Sequence, residues 1–153
     1  MALEAIRTFF QARLSHGPEE HRPDRVAIAA CALLLEIAHA DGLGPQEHES
    51  ILRAVRSYLG VPEEDVREVL RFAEEARRES VDLYQFTRLV GESFSLEQRR
   101  GLVEAIWRVV YSDGVLSAVE NQLARRIGEL LGLQQPDIQA ARERVLVNRR
   151  APP

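Results

Sequence analysis

The chain has 153 residues, of which 45% are hydrophobic and 29% charged, so it has the size and composition of one globular domain and is too apolar to be disordered. Its net charge of −4 gives no indication of nucleic-acid binding, which requires a concentrated basic face. All 20 basic residues are arginines, which excludes lysine Schiff-base chemistry and a Walker-type phosphate lysine, and the lone Cys31 excludes an intrachain disulfide.

The first part of the chain predicts two helices. Apolar residues at three- and four-residue spacing indicate a helix over about 2–15, followed by a polar loop. Asp24 is a suitable N-cap for a second helix over about 24–40. The apolar run within this helix, Val26 to Leu35, is shorter than the roughly 20 residues of a membrane-spanning helix. We therefore expect a buried core helix that contains Cys31.

The rest of the chain alternates helices with turn residues. Asp41-Gly42 ends the second helix, and Pro45, which is favourable in a first helical turn, begins a third helix. Further helices are predicted over about 62–78, 82–92, 96–112, 117–131 and 135–148. Gly60 and Gly132 supply helix stops, and Ser95 and Ser117 supply N-caps. The sequence thus predicts an all-α single domain of about eight helices.

An internal repeat relates the two halves of the chain. A shift of 72 positions places Asp41-Gly42 on Asp113-Gly114 and Leu59-Gly60 on Leu131-Gly132 without a gap. The predicted domain covers 24–148, with repeat units over about 24–78 and 96–148. Residues 1–23 add an N-terminal helix and loop, and residues 149–153 form a tail. Neither unit could bury its apolar face alone, so we expect the two to pack about a pseudo-twofold axis.

The two Asp-Gly turns are the candidate functional sites. An aspartate in the last turn of a helix opposes the helix dipole, so its occurrence twice invites a functional explanation. Glu120 follows Asp113 by seven residues, which resembles the second half of a calcium-binding EF-hand loop, although the first half is absent. The position that matches Glu120 in the first unit is His48, between Glu47 and Glu49.

A structural interpretation competes with metal binding at these turns. Asp-Gly is a common turn dipeptide, and an acid near a helix N-terminus stabilises the helix dipole without a ligand. Glu36 and His39 have the spacing of a di-iron ligand pair, but such a site needs a second pair on another helix. The repeat places Arg108 and Tyr111 at the matching positions, so a di-iron site is excluded.

The turn motifs resemble the TerB-like family, the tellurite-resistance type of small helical domain. The resemblance covers about residues 24–145 and rests on Ala40-Asp41-Gly42, Ser112-Asp113-Gly114, Leu59-Gly60 and Leu131-Gly132. It implies a pseudo-symmetric helical fold without an established enzymatic reaction, and a divalent metal as cofactor held by clustered acidic side chains. Carried over to this sequence, the matching metal-binding residues are Asp41, Asp113 and Glu120. Glu49 is the fourth candidate ligand, as the acid next to the matching position, which His48 occupies. His48 in place of a family acid would favour a softer metal such as zinc.

The leading functional hypothesis is a non-enzymatic TerB-like module in a tellurite, metal or envelope-stress response. We expect it to lie in the cytoplasm, to contact a partner protein or a second copy, and to bind a divalent cation at the turns. No nucleic-acid partner and no transmembrane segment are predicted, whereas peripheral membrane association stays open. A metal-dependent hydrolase is disfavoured because the chain has no nucleophile motif and no Gly-rich phosphate loop.

The alternative function is a metal-independent interaction scaffold of the co-chaperone type. Its docking surface would be the apolar face of the N-terminal helix, which carries Leu3, Ile6, Phe9, Phe10 and Leu14. This face is the favoured candidate because two adjacent phenylalanines are not expected to fit into one narrow core stripe.

Overall fold

A computed structural model describes residues 2–14, 24–40, 45–112 and 117–150 of the chain. The described residues form eight α-helices: α1 Ala2–Leu14, α2 Arg25–His39, α3 Pro45–Arg53, α4 Glu63–Glu79, α5 Tyr84–Ser93, α6 Leu96–Val110, α7 Ala118–Leu130 and α8 Gln135–Arg150. The predicted all-α fold is confirmed. None of these helices has the length and apolar content needed to cross a membrane.

The predicted N-caps are in place. The Asp24 carboxylate accepts a hydrogen bond from the Val26 amide at 2.8 Å, which satisfies one of the free amides at the start of α2. Ser95 and Gln98 form a reciprocal capping box at the start of α6. The Ser117 hydroxyl accepts a hydrogen bond from the Glu120 amide at 3.1 Å.

The two predicted helix-stopping glycines share one backbone conformation. Gly60 has a φ of 75° and Gly132 has a φ of 83°. Side-chain-bearing residues rarely adopt this left-handed region, so glycine is required at both places. Arg99 Nη1 closes the end of α7 by donating to the Leu131 carbonyl oxygen at 2.8 Å.

α3, the helix that follows the first turn, ends differently from α7, which is its counterpart in the second unit. Beyond Arg53 the chain continues as one π-helical turn, Ala54–Tyr58. The Leu59 amide donates to the Ala54 carbonyl oxygen at 2.9 Å, five residues back. Such π-helical turns are rare and often occur at functional sites. The sequence repeat gave no indication of this difference.

α2 and α6 form the centre of the molecule. Along α2 the residues from Val26 to Leu35 are all buried, which confirms the predicted core helix. α4 packs on α2, α8 packs on α6, and α2 contacts α6 directly. α5 packs on α2, whereas α1 packs on α6. These contacts join helices from both predicted units, and the exact pseudo-twofold relation between the units remains a prediction.

The expectation that α1 presents a free docking face is wrong. Phe10 is fully buried and Phe9 is only 7% exposed, so both adjacent phenylalanines belong to the core. The Phe9 ring meets Phe94 edge to face, with 4.5 Å between the ring centroids. Phe94 lies just after α5, so α1 packs against α6 and also contacts the residue that joins α5 to α6. This arrangement provides room for two rings where the sequence suggested one stripe.

Trp107, Tyr111 and Cys31 also belong to the core. Trp107 and Tyr111 stack with 5.9 Å between ring centroids, and both are buried. Burial of Cys31 raises the pKa of its thiol to about 12, so the reactive thiolate is suppressed.

Candidate cation site at the two turns

The four predicted metal-binding acids are only partly within the described structure. Asp41 and Asp113 lie outside the described residues. Glu49 is exposed on α3, whereas Glu120 is 7% exposed in the first turn of α7. Within the described ranges, no three His, Cys, Asp or Glu residues form a group that could hold a metal ion.

The start of the second turn lies against α3. Ser112, the residue before Asp113, has its hydroxyl oxygen 2.8 Å from that of Ser50. Ser50 follows Glu49 in the chain, and consecutive Cα atoms are about 3.8 Å apart. The residue before Asp113 therefore contacts the residue after Glu49.

The start of the first turn faces a groove that α7 also lines. Ala40, the residue before Asp41, lines one groove together with Val119, Gln122 and Leu123 of α7. Glu120 is the chain neighbour of Val119. We call this depression, which has a volume of about 400 Å³, the α2–α7 groove. Its other lining residues are Glu36, His39, Arg77 and Arg126.

The residues just before the two turns, Ala40 and Ser112, therefore lie near helices of the opposite half. The sequence grouped Asp113 with Glu120 because they lie on one chain segment. In the described structure, Ser112, the residue before Asp113, contacts Ser50 of α3. Ala40, the residue before Asp41, instead shares a groove with α7. A repeat read along the chain cannot reveal this exchange, because it depends on how the two halves pack.

Glu36 and His39 take part in an ion-pair network between α2 and α4. Glu74 accepts a hydrogen bond from Arg77 Nη2 at 2.8 Å, and Arg77 Nη1 lies 3.5 Å from Glu36. His39 Nε2 is 3.4 Å from Glu74, but that nitrogen makes no hydrogen bond to the described residues. These ion pairs give Glu36 and His39 a structural role, and both residues also line the α2–α7 groove.

The same network shifts the acidity of Glu74. The hydrogen bond from Arg77 lowers the pKa of Glu74, partial burial raises it, and the positive charges of Arg77, His39 and Arg78 lower it further. The net effect is a pKa below the ordinary value of 4.5. The Glu74 carboxylate is therefore ionised at neutral pH.

The C-terminal end of α6 corresponds in the repeat to the C-terminal end of α2, but it carries a positive charge where α2 carries a negative one. Arg108 and Tyr111, which match Glu36 and His39 in the repeat, line a pocket of about 220 Å³ next to Ser112. We call it the arginine pocket; it is lined by Arg53, Tyr58, Arg108, Tyr111, Ser112, Val145 and Asn148. Sequence reasoning missed this pocket, although the exchange of Glu36 for Arg108 was the observation that could have indicated it.

Apolar side chains are exposed near the α2–α7 groove. Val119 lines the groove and is 51% exposed. Val81 and Tyr84 are also exposed, and they line an adjoining depression that shares Glu36, Arg77 and Arg126 with the groove. Three of the exposed large apolar side chains in the described chain therefore lie on one side of the molecule.

A comparison with known families gives one match. The model of the family described as tellurite resistance protein TerB matches residues 27–143, which is most of the chain. No curated protein and no solved structure matches the chain.

Proposed function

We propose, from the premise that this chain belongs to the tellurite resistance protein TerB family, that it is a non-enzymatic module of the tellurite, metal or envelope-stress response. In this proposal it works in the cytoplasm through contacts with a partner protein and binds a divalent cation at its two turns. Carboxylates suit hard divalent cations, which retain water molecules where the protein supplies few ligands.

The crosswise contacts support this assignment. They favour two half-sites, one formed by Asp41 and Glu120 and the other by Asp113 and Glu49. Each half-site would join the two halves of the chain, so binding a cation would tie α2 to α7 and α6 to α3. Glu120 suits this role because its buried position reduces competition from bulk water.

We expect the two half-sites to differ in affinity. The groove beside Ala40 contains Glu36 together with Arg77 and Arg126, and Arg77 is paired with Glu36 and Glu74. The pocket beside Ser112 contains Arg53 and Arg108, whose positive charge repels a cation. The Asp41–Glu120 half-site should therefore bind more tightly.

Titration calorimetry of chelator-treated protein with calcium, magnesium, manganese and zinc tests the proposal. We expect D41N and E120Q each to weaken cation binding by at least about tenfold. Each substitution keeps the shape of the side chain but replaces the negatively charged carboxylate by a neutral amide. E64Q is the matched control, since Glu64 is an exposed acid in the first turn of α4 and lies in neither half-site.

Double variants test which two acids hold the same cation. If Asp41 and Glu120 hold one ion, their effects should be strongly non-additive, whereas D41N and E49Q should be additive. Additivity of D41N and E120Q together with coupling of D113N and E120Q would show that each turn works alone. The absence of binding of all four metals at millimolar concentration would contradict the proposal.

A further inference from the structure

The arginine pocket has an excess of positive charge in the described structure. Glu104, which is 6% exposed, accepts a hydrogen bond from Arg144 Nε at 2.7 Å. The same carboxylate is 3.6 Å from Arg108 Nη2. One carboxylate thus faces two guanidinium groups, and Arg53 at the pocket wall adds a third positive charge.

Arg108 is held in place but lacks hydrogen-bond acceptors. Its side chain is 22% exposed, and its guanidinium carbon lies 5.1 Å from the centre of the Tyr58 ring. Its Nε is buried and has no hydrogen-bond partner among the described residues. Of the five N–H donors of a guanidinium group, the four on the Nη atoms make no hydrogen bond within the described residues, so they are the donors that a ligand in the pocket can use.

Arg53 is also available. It is exposed on α3, and no described acid lies within ion-pair distance of it. The π-helical turn that begins after Arg53 places Tyr58 beneath Arg108 and brings Arg53 and Tyr58 to the same pocket. The pocket wall also contains Asn148, whose side-chain amide is a neutral donor.

The size and chemistry of the pocket limit what it can bind. Its volume of about 220 Å³ is below the roughly 300–1,000 Å³ of sites for drug-sized ligands. Arginine pairs well with phosphate and related oxyanions because its planar donors match their oxygen atoms. We propose that the arginine pocket binds a small oxyanion of the phosphate type, either free or as the terminal phosphoryl group of a larger ligand.

This proposal does not require that a cation binds, and the test keeps the two kinds of binding apart. Inorganic phosphate is titrated in the presence of a chelator, with binding followed by calorimetry and by amide and side-chain NMR shifts. The wild-type protein should bind phosphate, with shifts at Asn148 and Tyr58. R53Q should weaken binding by about tenfold or more, because charge-assisted hydrogen bonds are lost.

The matched control is R56Q. Arg56 is exposed, three residues from Arg53, and pairs with Glu63 outside the pocket. R56Q should bind phosphate as the wild type does. R108Q is a second variant that should abolish binding, and its melting temperature shows whether the fold is retained.

A phosphoserine-containing peptide and its unphosphorylated form identify the source of the anion. Tighter binding of the phosphopeptide than of phosphate would assign the pocket to a phosphoryl group on a larger ligand, and equal binding would assign it to the free anion. No binding of either at millimolar concentration, or equal weakening by R53Q and R56Q, would overturn the proposal.

Discussion

At the scale of single residues, the described core contains few polar or charged residues. The buried polar residues are Thr87, Glu104 and Glu120. The Thr87 hydroxyl donates to the Tyr84 carbonyl oxygen at 3.1 Å, and Glu104 is paired with Arg144. Burying an unpaired charge is costly, so these contacts are a condition for the fold. Glu120 differs in lying next to a candidate ligand site at the start of α7.

Glu74 should make the stability of the protein depend on pH. Its pKa is lower in the folded state than the ordinary 4.5. The stabilisation by its ionised form is therefore present above that value and is lost as the pH falls through the lower folded-state pKa. We expect E74Q to cost about 1 kcal/mol at pH 7 and nothing at low pH.

Urea unfolding of wild type and E74Q between pH 2 and pH 7 measures this effect. E75Q is the control, because Glu75 is an exposed neighbour on α4 outside the network. A stability difference between wild type and E74Q that stayed constant with pH would contradict a lowered pKa of Glu74.

At the scale of helices, the packing of α1 on α6 depends on one residue without a side chain. A Cβ atom added to Gly101 would lie 2.2 Å from the Ala2 carbonyl oxygen and 3.1 Å from the Ile6 side chain. The carbonyl oxygen is backbone, so it could not turn away. The two helices can approach this closely only because position 101 is glycine.

The glycines of α5 and α6 should therefore respond in opposite ways to replacement by alanine. Gly91 has no atom within 4 Å of an added Cβ, so G91A should stabilise the protein by about 0.5–1 kcal/mol through helix propensity. G101A should instead destabilise it by about 1–3 kcal/mol, because α1 must shift. Chemical denaturation of both variants tests this, and stabilisation by G101A would show that α1 does not pack as described.

At the scale of the whole molecule, α1 completes the core. Its apolar side chains cover α6 and reach Phe94, so the helix is part of the domain although the sequence suggested an addition to it. The family match begins at residue 27 and does not include α1. The contacts of α1 nevertheless make it a structural requirement in this chain.

Truncation of a buried side chain of α1 should be costly. F10A should lower the free energy of unfolding by about 3–5 kcal/mol, the usual loss for a buried phenylalanine. V81A should change it by less than about 0.5 kcal/mol, because Val81 is 98% exposed. The expected contrast is measurable as a shift in thermal midpoint. An unchanged thermal midpoint for F10A would instead support the earlier expectation that the apolar face of α1 is free to dock a partner.

Much of this fold follows from local sequence features. The helix at Pro45, the cap at Asp24 and the stops at Gly60 and Gly132 were predictable, because caps and positive-φ glycines act within a few residues. The burial of the apolar run in α2 was likewise predictable from its composition. The four acids of the candidate site came from the repeat and the family resemblance, and their metal binding stays a prediction.

Other features were decided only by the tertiary structure. The burial of Phe9 involves a contact with Phe94, which is distant in the chain. The exchange that sets Ser112 beside Ser50 requires both halves to be packed, and so does the arginine pocket. The sequence thus determined where helices begin and end, because those choices are local. The tertiary structure decided which charges face each other, since that depends on contacts between residues far apart in the chain.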